Sequence, residues 1–353
     1  MPRLTASISL AVLLAPLPAL THHSAAGFYD EDVFLEIEGE IVAVLWRNPH
    51  VSYTIRTTDA DGREAIWEIE GASVNRLSRR GLTADMMQVG AHVKIAGNPS
   101  RQGRNTMEVT NMLLPNGEEL LLLNPNLPKR WSDDLLGTGF VAIDADLAAA
   151  ASDTARGIFR VWNLAFEGDS DIGALWNDSY PLTAAARTAQ EKWQPISDNP
   201  LARCIAPGMP TTMSGPYPSE FIQQGTDIIL LRIEEFDNER VIHMNADASA
   251  DGQPDSPLGY SIGHWQGSTL VVTTTHINWP WFDRQGVPQS DAVEIVERFA
   301  FSEDETRFDY SATITDPATF TEPVVLDTYR VWVPGEVIAP YDCVISNVVL
   351  SNE

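Results

Sequence analysis

Three histidines near the start of this sequence could bind a metal ion. His22 and His23 directly follow an apolar run, and His50 ends a Trp-Arg-Asn-Pro-His segment. A cut after Thr21 would make His22 the N-terminal residue, whose amine and imidazole form a histidine brace for Cu(II). A cut after Leu20 would leave Thr-His-His, which offers a square-planar nitrogen site. We expect His50 to supply a further imidazole if the N-terminus folds back on the first domain. The alternative is accidental affinity, because a histidine close to any free N-terminus binds copper.

Three titratable residues in the last third of the chain could carry acid/base chemistry. Glu297 has the same strand parity as Ile295 and Phe299, so we predict it on an apolar face. A carboxylate on such a face must be paired or protonated, because an isolated buried charge is costly. Glu297 with His276 is therefore a candidate general acid/base pair, and Asp316 is a further catalytic candidate. The alternatives are a structural buried hydrogen-bond network, or a carboxylate that meets water at a barrel end.

Side chains around these residues could line a binding site. Thr274 shares a strand face with His276, and the turn that precedes this strand places Ser261 on the same face. The aromatic run at Trp279 and Trp281 is typical of a plug for a barrel end, or of the lip of a pocket for an apolar or aromatic molecule. The candidate ligand-binding residues are Trp265, Thr274, Trp279, Trp281, Ser261 and His243.

The charge of the chain excludes one class of partner. The sequence has 353 residues, with 49 acidic and 23 basic side chains and a formal net charge of -26. Such an acidic chain is not expected to bind nucleic acid, whose phosphates need basic surfaces. A glycine-rich phosphate loop and a His-Glu-x-x-His motif are both absent from the sequence. We therefore expect no required cofactor, with copper as the one metal that the histidines suggest, and a small apolar or aromatic molecule as the partner.

The N-terminus has the features of a secretion signal. Arg3 precedes the apolar residues 8–20, and no acidic residue occurs before Asp30. This run is shorter than the roughly 20 residues that cross a membrane, so it predicts a cleaved signal peptide over residues 1–21 and no membrane span. We expect the mature protein in the periplasm or outside the cell. Cys204 and Cys343 are predicted to form a disulfide, because an even number of cysteines in an exported chain favours pairing.

The pattern of the sequence predicts a mainly β fold with two domains. In residues 22–123, three strands, a short helix that ends at Gly81, and two further strands follow one another, which predicts a five-stranded OB-like barrel. Residues 124–200 have weaker periodicity, and we predict a linker with short helices there. In residues 201–353, seven strands alternate with turns, which predicts an antiparallel lipocalin-like barrel or a curled sheet, closed by the Cys204–Cys343 disulfide.

Several motifs resemble those of known families. In the N-terminal part they are His22-His23-Ser24, Trp46-Arg47-Asn48-Pro49-His50 and Arg79-Arg80-Gly81. With these motifs, the N-terminal part resembles the exported bacterial proteins of the uncharacterised family DUF6152. The C-terminal motifs are residues 259–267 (GYSIGHWQG), Leu270-Val271-Val272 and Glu297-Arg298-Phe299. They are similar to those of a second set of exported bacterial proteins of unknown function, often fused to that domain. The resemblance implies export and architecture, and it implies no activity.

Three functional hypotheses follow from the sequence. The first is a protein that binds a small, largely apolar molecule in its C-terminal barrel, with cofactor-independent lyase, hydratase or isomerase chemistry at Glu297 and His276. The second is a periplasmic copper-binding protein that uses His22, His23 and His50. The third is a non-catalytic interaction module of the cell envelope, with the OB-like barrel as its contact surface.

Overall fold

The computed structural model of this protein describes residues 28–139, 143, 145–154, 157–164, 176, 179–194 and 197–345. The predicted signal peptide, together with His22 and His23, lies outside the described residues. The strands form two barrels, which we call the first and the second barrel. The mainly β fold that the sequence predicts is confirmed. In the described part of the chain, no helix is both long and apolar enough to cross a membrane.

The first barrel contains the five strands that the sequence predicts. They are β1 (Leu35–Leu45), β2 (Ser52–Thr58), β3 (Glu64–Glu70), β4 (His92–Pro99) and β5 (Thr106–Leu113). Neighbouring strands are antiparallel, and the parallel pair β3–β5 closes the barrel. Helix α1 (Val74–Arg79) lies between β3 and β4, where the Ser73 hydroxyl caps it by accepting a hydrogen bond from the Arg76 N–H. Alternating side chains fill the interior, among them Ile41, Tyr53, Ile69, Ile95 and Val109.

The segment 124–200, predicted as a linker with short helices, also supplies strands to both sheets. β7 (Leu135–Leu136) pairs at the edge of the first sheet with β6 (Glu119–Leu121), a strand that precedes this segment and pairs with β5. Helix α2 (Ala145–Thr154) follows, and then β8 (Val161–Leu164) pairs with strands of the second barrel. Helix α3 (Ala184–Gln190) ends the segment. β7 and β8 have two and four residues, too few for a period-2 pattern to be recognised. The domain limits themselves stay a prediction.

The second barrel has nine strands among the described residues, two more than the sequence predicts. β8 is followed by β9 (Ser219–Gln224), β10 (Ile228–Ile233), β11 (Asn238–His243), β12 (Tyr260–Gln266), β13 (Thr269–Thr275), β14 (Glu294–Phe301), β15 (Arg307–Thr315) and β16 (Val324–Trp332). Their order around the barrel runs from β10 to β16, then through β8 and β9 back to β10. The barrel alternative is therefore confirmed and the curled-sheet alternative is wrong.

One strand pairing departs from the predicted antiparallel order. β11 and β12 run parallel, with Ile242 opposite Ser261 and His243 opposite Ile262. A parallel pair needs a long connection that returns the chain to the same end of the sheet, and residues 244–259 provide it. This connection contains no helix or strand, so the strand pattern of the sequence did not indicate that β11 and β12 pair in parallel.

Aromatic rings fill the interior of the second barrel. Phe221, Phe299 and Phe308 have ring centroids 5.4 to 6.0 Å apart, and Trp162 lies 5.0 Å from Phe308. None of these four side chains is more than 2% exposed. At this level the barrel is a packed core, held by edge-to-face ring contacts.

The predicted disulfide between Cys204 and Cys343 is confirmed. The two cysteines are 139 residues apart in sequence, so the bond joins the segment that enters the second barrel to the tail that follows β16. Disulfides of this kind persist in oxidising compartments, which agrees with the predicted export.

Candidate functional site

Glu297 lies inside the second barrel, on the face that the strand parity predicts. It is opposite Val272 on β13 and Ala312 on β15. Its side chain is fully buried, and its carboxylate forms an ion pair with Arg240 of β11, which is 1% exposed. The Tyr310 hydroxyl also donates a hydrogen bond to Glu297 Oε1, at 2.9 Å. Burial, and then the charge of Glu297, raise the pKa of Tyr310 well above its ordinary value, so this hydroxyl stays a donor.

Two predicted ligand-binding residues complete this buried cluster. Arg240 Nε donates to Ser261 Oγ at 2.9 Å, and its Nη2 donates to Thr274 Oγ1 at 2.6 Å. The two hydroxyls are 3.0 Å apart. Both side chains are fully buried, in keeping with the shared face that the turn predicts. Every member of the cluster thus has a hydrogen-bond partner, which corresponds to the structural-network alternative for Glu297.

Arg240 is the partner of Glu297 that the sequence interpretation missed. Arg298 is adjacent to Glu297 in sequence, but it is exposed on the outer face and donates to Gln266. The sequence did contain a signal for Arg240. It lies two residues before Ile242 on β11, so the two side chains share the buried face of that strand. A basic residue at an apolar position is the expected counterpart of a buried carboxylate.

The other two predicted catalytic residues lie apart from Glu297. His276 follows the last residue of β13 with a φ of 59°, and its Nδ1 lies 3.0 Å from Thr275 Oγ1. Asp316 follows β15, where its carboxylate accepts hydrogen bonds from the Ser290 N–H at 2.8 Å and the Ser290 hydroxyl at 2.7 Å. Within the described residues, no hydrogen bond joins any two of the three predicted catalytic side chains. Asp316 therefore fixes two loops to each other.

The predicted ligand-binding residues are distributed over four places. Trp265 is 44% exposed near the β12–β13 turn and lies 6.3 Å from the Phe301 ring. His243 stacks on Tyr260, with ring centroids 4.4 Å apart. Ser261 and Thr274 belong to the buried cluster around Arg240 described above, whereas Trp279 and Trp281 lie in the loop between β13 and β14.

That loop, residues 278–289, is here called the tryptophan loop. It doubles back on itself, since the Phe282 N–H donates to the Val287 carbonyl at 2.8 Å and Trp281 bridges to Pro288. The Phe282 ring is fully buried, with its centroid 4.9 Å from that of Phe320. Trp279 is 6% exposed, whereas Trp281 stays partly exposed. The loop therefore packs on the core as a plug and presents one indole ring at its surface.

Three polar atoms of the tryptophan loop and the segment packed on it are buried without a partner. They are Nε1 of Trp279, Nε1 of Trp193 and Oε1 of Gln289, for which the described part of the molecule provides no hydrogen-bond partner. The Gln289 amide nitrogen is held by the Met209 carbonyl at 2.9 Å and the Trp279 carbonyl at 3.0 Å, which fixes where its oxygen points. The Trp193 ring lies directly on Gly286, because a Cβ there would be 2.2 Å from Trp193 Cγ.

The same loop carries a buried carboxyl group. Asp283 Oδ1 accepts hydrogen bonds from the Gln285 N–H at 2.8 Å and the Val287 N–H at 3.0 Å. Burial nevertheless raises the pKa of Asp283 to about 6, against the opposing effect of these two N–H groups. The adjacent Arg284 donates to Glu235 Oε2 at 2.6 Å, which ties the loop to the turn between β10 and β11.

Two of the motif residues lie where the barrels meet. The side-chain amide of Asn48 donates a hydrogen bond to the Tyr341 carbonyl. The backbone carbonyl of Asn48 accepts a hydrogen bond from the Val344 N–H at 2.9 Å. Arg79 donates to Glu336 Oε1 at 2.8 Å and to the Val337 carbonyl at 3.2 Å. Residues 336–344, here called the strap, therefore pass between the barrels and are held mainly through backbone groups.

His50 lies on the first barrel next to a pair of carboxylates. Glu70 and Glu108 are direct partners on the parallel strands β3 and β5. The Tyr29 hydroxyl donates to Glu70 Oε2 at 2.8 Å, and the exposed His50 ring lies with Nδ1 2.9 Å from the Gly71 carbonyl. Burial raises the pKa of Glu108 to about 7, with Glu70 adding to the rise and His50 opposing it. Over the residues that the structure covers, no three histidine, cysteine or acidic side chains are grouped as metal ligands.

The comparison with protein families covers most of the first barrel. Residues 11–108 match the model of DUF6152, a family of unknown function. No curated protein matches the chain. The DUF6152-like part ends within β5 and includes Asn48, His50, Arg79 and Arg80. Of these motif residues, Asn48 and Arg79 contact the strap, and His50 lies close to Glu70 and Glu108.

Proposed function

We propose that this protein binds a small aromatic molecule at the tryptophan loop of the second barrel. One observation carries the proposal: Trp193, Trp279 and Gln289 each bury a polar atom that has no partner in the described structure. A buried donor or acceptor without a partner costs about 1–3 kcal/mol. Folded proteins satisfy the large majority of such groups, so three around one loop indicate atoms supplied from outside the chain.

The hydrogen-bonding character of the three unpartnered atoms indicates which kind of ligand would satisfy them. Each indole Nε1 is a donor only, so it needs an acceptor, whereas the Gln289 oxygen needs a donor. Trp281 and Trp193, whose ring centroids are 6.5 Å apart, offer aromatic surface beside these groups. A flat aromatic molecule with a carbonyl or ring-nitrogen acceptor and one N–H or O–H donor matches this set.

The geometry supports binding better than acid/base chemistry at Glu297. Both carboxylate oxygens of Glu297 are engaged by Arg240, and Tyr310 donates to one of them as well. Lyase, hydratase or isomerase chemistry would need a group near the ligand that can donate or accept a proton. Asp283 is the group in the tryptophan loop that could exchange a proton near neutral pH, because its pKa is about 6. We propose that this binding takes place outside the cytoplasm, on the basis of the predicted N-terminal signal sequence and the disulfide.

Binding of 2-quinolone, a planar lactam with one carbonyl and one N–H group, tests the proposal by isothermal titration calorimetry. Trp279→Phe keeps an aromatic ring but removes the donor, so it should weaken binding by about 5- to 10-fold. The matched control is Trp265→Phe, at the exposed tryptophan of the β12–β13 hairpin, which should bind like the unsubstituted protein. Equal affinities of the two variants, or a crystal structure in which ordered waters satisfy all three atoms, would contradict the proposal.

A second candidate function is copper binding, and the position of His50 favours it. The Gly71 carbonyl accepts a hydrogen bond from His50 Nδ1, which leaves Nε2 available, and metal-binding histidines are commonly oriented in this way. Tyr29, six residues after His23 in sequence, donates to the neighbouring Glu70. Six extended residues span up to about 20 Å, so His22 and His23 are within reach of His50 along the chain.

Cu(II) titration of the exported, processed protein tests this second candidate. His50→Gln should weaken copper binding by at least about 10-fold if His50 is a ligand, since one ligand contributes well over 1.4 kcal/mol. His92→Gln replaces an exposed histidine of the same barrel and should have no effect. Unchanged affinity in His50→Gln would remove His50 from the site and leave only the accidental affinity of an N-terminal histidine. If the protein binds neither 2-quinolone nor copper, the remaining hypothesis is a non-catalytic interaction module of the cell envelope.

A further inference from the structure

Arg80, which ends helix α1, is buried and has no negatively charged partner among the described residues. Its side chain is 8% exposed. Nε donates to the Arg76 carbonyl at 3.3 Å and Nη1 donates to the Leu121 carbonyl at 3.1 Å. Nη2 is buried, and no hydrogen-bond partner for it occurs among the described residues. Two neutral carbonyls thus hold a guanidinium whose charge is not balanced.

Arg79, the preceding residue of α1, differs from Arg80 in this respect, since it forms ion pairs with Glu234 and Glu336. Arg76 donates to the Leu123 carbonyl at 3.2 Å. Burial lowers the pKa of Arg76, and the charges of Glu108 and Glu235 oppose this. For Arg80 the significant charged neighbour is Arg76, which has the same sign. Burial and then Arg76 lower the pKa of Arg80 to about 9, so it remains positively charged at neutral pH.

Tyr53 is a second unpartnered donor at the same end of the first barrel. It is fully buried, and its hydroxyl has no hydrogen-bond partner in the described structure. A Cβ on Gly71 would lie 3.7 Å from Tyr53 Cε2 and 3.8 Å from the Leu122 carbonyl oxygen, so Gly71 lies next to both the Tyr53 ring and the Leu122 backbone. Arg80 donates to the preceding carbonyl, that of Leu121. Tyr53 and Arg80 therefore belong to the same end of the barrel, and each affects the pKa of the other.

We propose that Arg80 and Tyr53 bind a small monovalent anion, such as chloride, inside the first barrel. Arg80 Nη2 and the Tyr53 hydroxyl are both hydrogen-bond donors, so a single acceptor would satisfy both. This acceptor should be negatively charged, because the buried Arg80 guanidinium needs a counterion. A water molecule would satisfy the Tyr53 hydroxyl but would leave the buried charge without a counterion. One uncompensated positive charge requires a single negative charge, which favours a halide over a divalent oxyanion.

Bromide serves as the probe, because it replaces chloride and scatters anomalously. Crystals soaked in sodium bromide should show an anomalous peak within hydrogen-bond distance of Arg80 Nη2 and Tyr53 Oη. In solution, the melting temperature should be about 2 to 4 °C higher in sodium bromide than in sodium gluconate at equal ionic strength, because gluconate is too large to enter. A bromide peak at Arg80 together with this shift supports the site. No peak and equal melting temperatures in both salts overturn it.

Three variants distinguish a specific anion site from a general salt effect. Arg80→Met should abolish the difference between the two salts. Tyr53→Phe removes a hydroxyl that has no partner in the described part of the chain, so it should fold normally and bind bromide about 5- to 10-fold more weakly. Arg63→Met, at an exposed arginine of the same barrel, is the matched control and should respond to the salts like the unsubstituted protein. If Arg80→Met does not fold, a bromide affinity in Tyr53→Phe equal to that of the control would be enough to reject the proposal.

Discussion

Arg79 of the first barrel and Glu234 of the second barrel form a buried ion pair across the junction of the two barrels. The Glu234 side chain is fully buried, and Arg79 Nη1 donates to its Oε1 at 2.6 Å. The Asn75 side chain and the Ala339 N–H also donate to this carboxylate, at 2.9 and 2.8 Å. One carboxylate thus holds together helix α1, the second barrel and the strap.

Arg79→Met should destabilise the protein by about 3 kcal/mol, because it leaves Glu234 buried with only neutral donors. Urea unfolding, followed by tryptophan fluorescence, measures this loss. The double variant Arg79→Met/Glu234→Gln removes the orphaned charge and should recover a large part of it. A double variant that is no more stable than Arg79→Met would show that the ion pair does not govern the junction.

Glu297→Gln should behave as a structural variant. It leaves the Arg240 guanidinium buried without a counterion, so we expect a loss of stability of about 3–5 kcal/mol. Tyr310→Phe removes one hydrogen bond to the same carboxylate and should cost about 1–2 kcal/mol. Arg298→Gln, on the outer face of the same strand, is the control and should change little. An unchanged melting temperature in Glu297→Gln would contradict the structural role and return this residue to the catalytic candidates.

Asp283 should make the protein less stable as the pH rises from about 4 to about 6. Its pKa is about 6 in the folded protein and 3.8 ordinarily, so the folded state binds more protons within that window. The stabilisation from the protonated Asp283 carboxyl is complete below its ordinary pKa of 3.8, and it is lost as the pH rises through its folded-state pKa of about 6. Asp283→Asn retains an oxygen for the Gln285 and Val287 N–H groups and should be about 3 kcal/mol more stable than the unsubstituted protein at pH 8.

Thermal unfolding between pH 4 and pH 8 checks this prediction. Near pH 4 the Asp283→Asn variant and the unsubstituted protein should be equally stable, and they should diverge as the pH rises. Asp251→Asn, at an exposed residue, should keep the pH dependence of the unsubstituted protein. Parallel curves for Asp283→Asn and the unsubstituted protein would mean that Asp283 does not titrate in this window.

Reduction of the disulfide should loosen the strap before it affects either barrel. Cys343 belongs to the strap, and Cys204 lies 139 residues earlier in sequence. Closing a loop of that length stabilises a protein by about 4–5 kcal/mol on the chain-entropy model. The strap has no helix or strand of its own and holds Cys343, so hydrogen exchange of the reduced protein should increase first in residues 336–344. Faster exchange confined to the strands of the second barrel would contradict this order.

Much of the strand architecture could be predicted from the sequence, because one face of each long strand is buried. The alternation around Glu297 and Ile295 gave the correct inner face, and the turn between β12 and β13 correctly placed Ser261 beside Thr274. The pairing of Cys204 with Cys343 followed from their number alone.

The arrangement of the candidate site could not be predicted in the same way. His276 leaves its strand at a positive φ, and strand parity does not anticipate such a change of direction. The ion pair between Arg240 and Glu297 joins strands that are far apart in sequence, so it depends on how the barrel closes. The contact of Asn48 with Tyr341 depends on the packing of two barrels, which no local pattern encodes.

The pairing of β8 with β16 determines when the second barrel can be completed. β8 precedes all the other strands of this barrel in the chain and β16 is the last of them, yet the two are neighbours in the sheet. Until Val324–Trp332 has been synthesised, the earlier strands can form only an open sheet with two unpaired edges. Such edges are where chains of unfinished proteins associate with one another. The second barrel is therefore expected to be most prone to aggregation late in its synthesis, just before its last strand closes it.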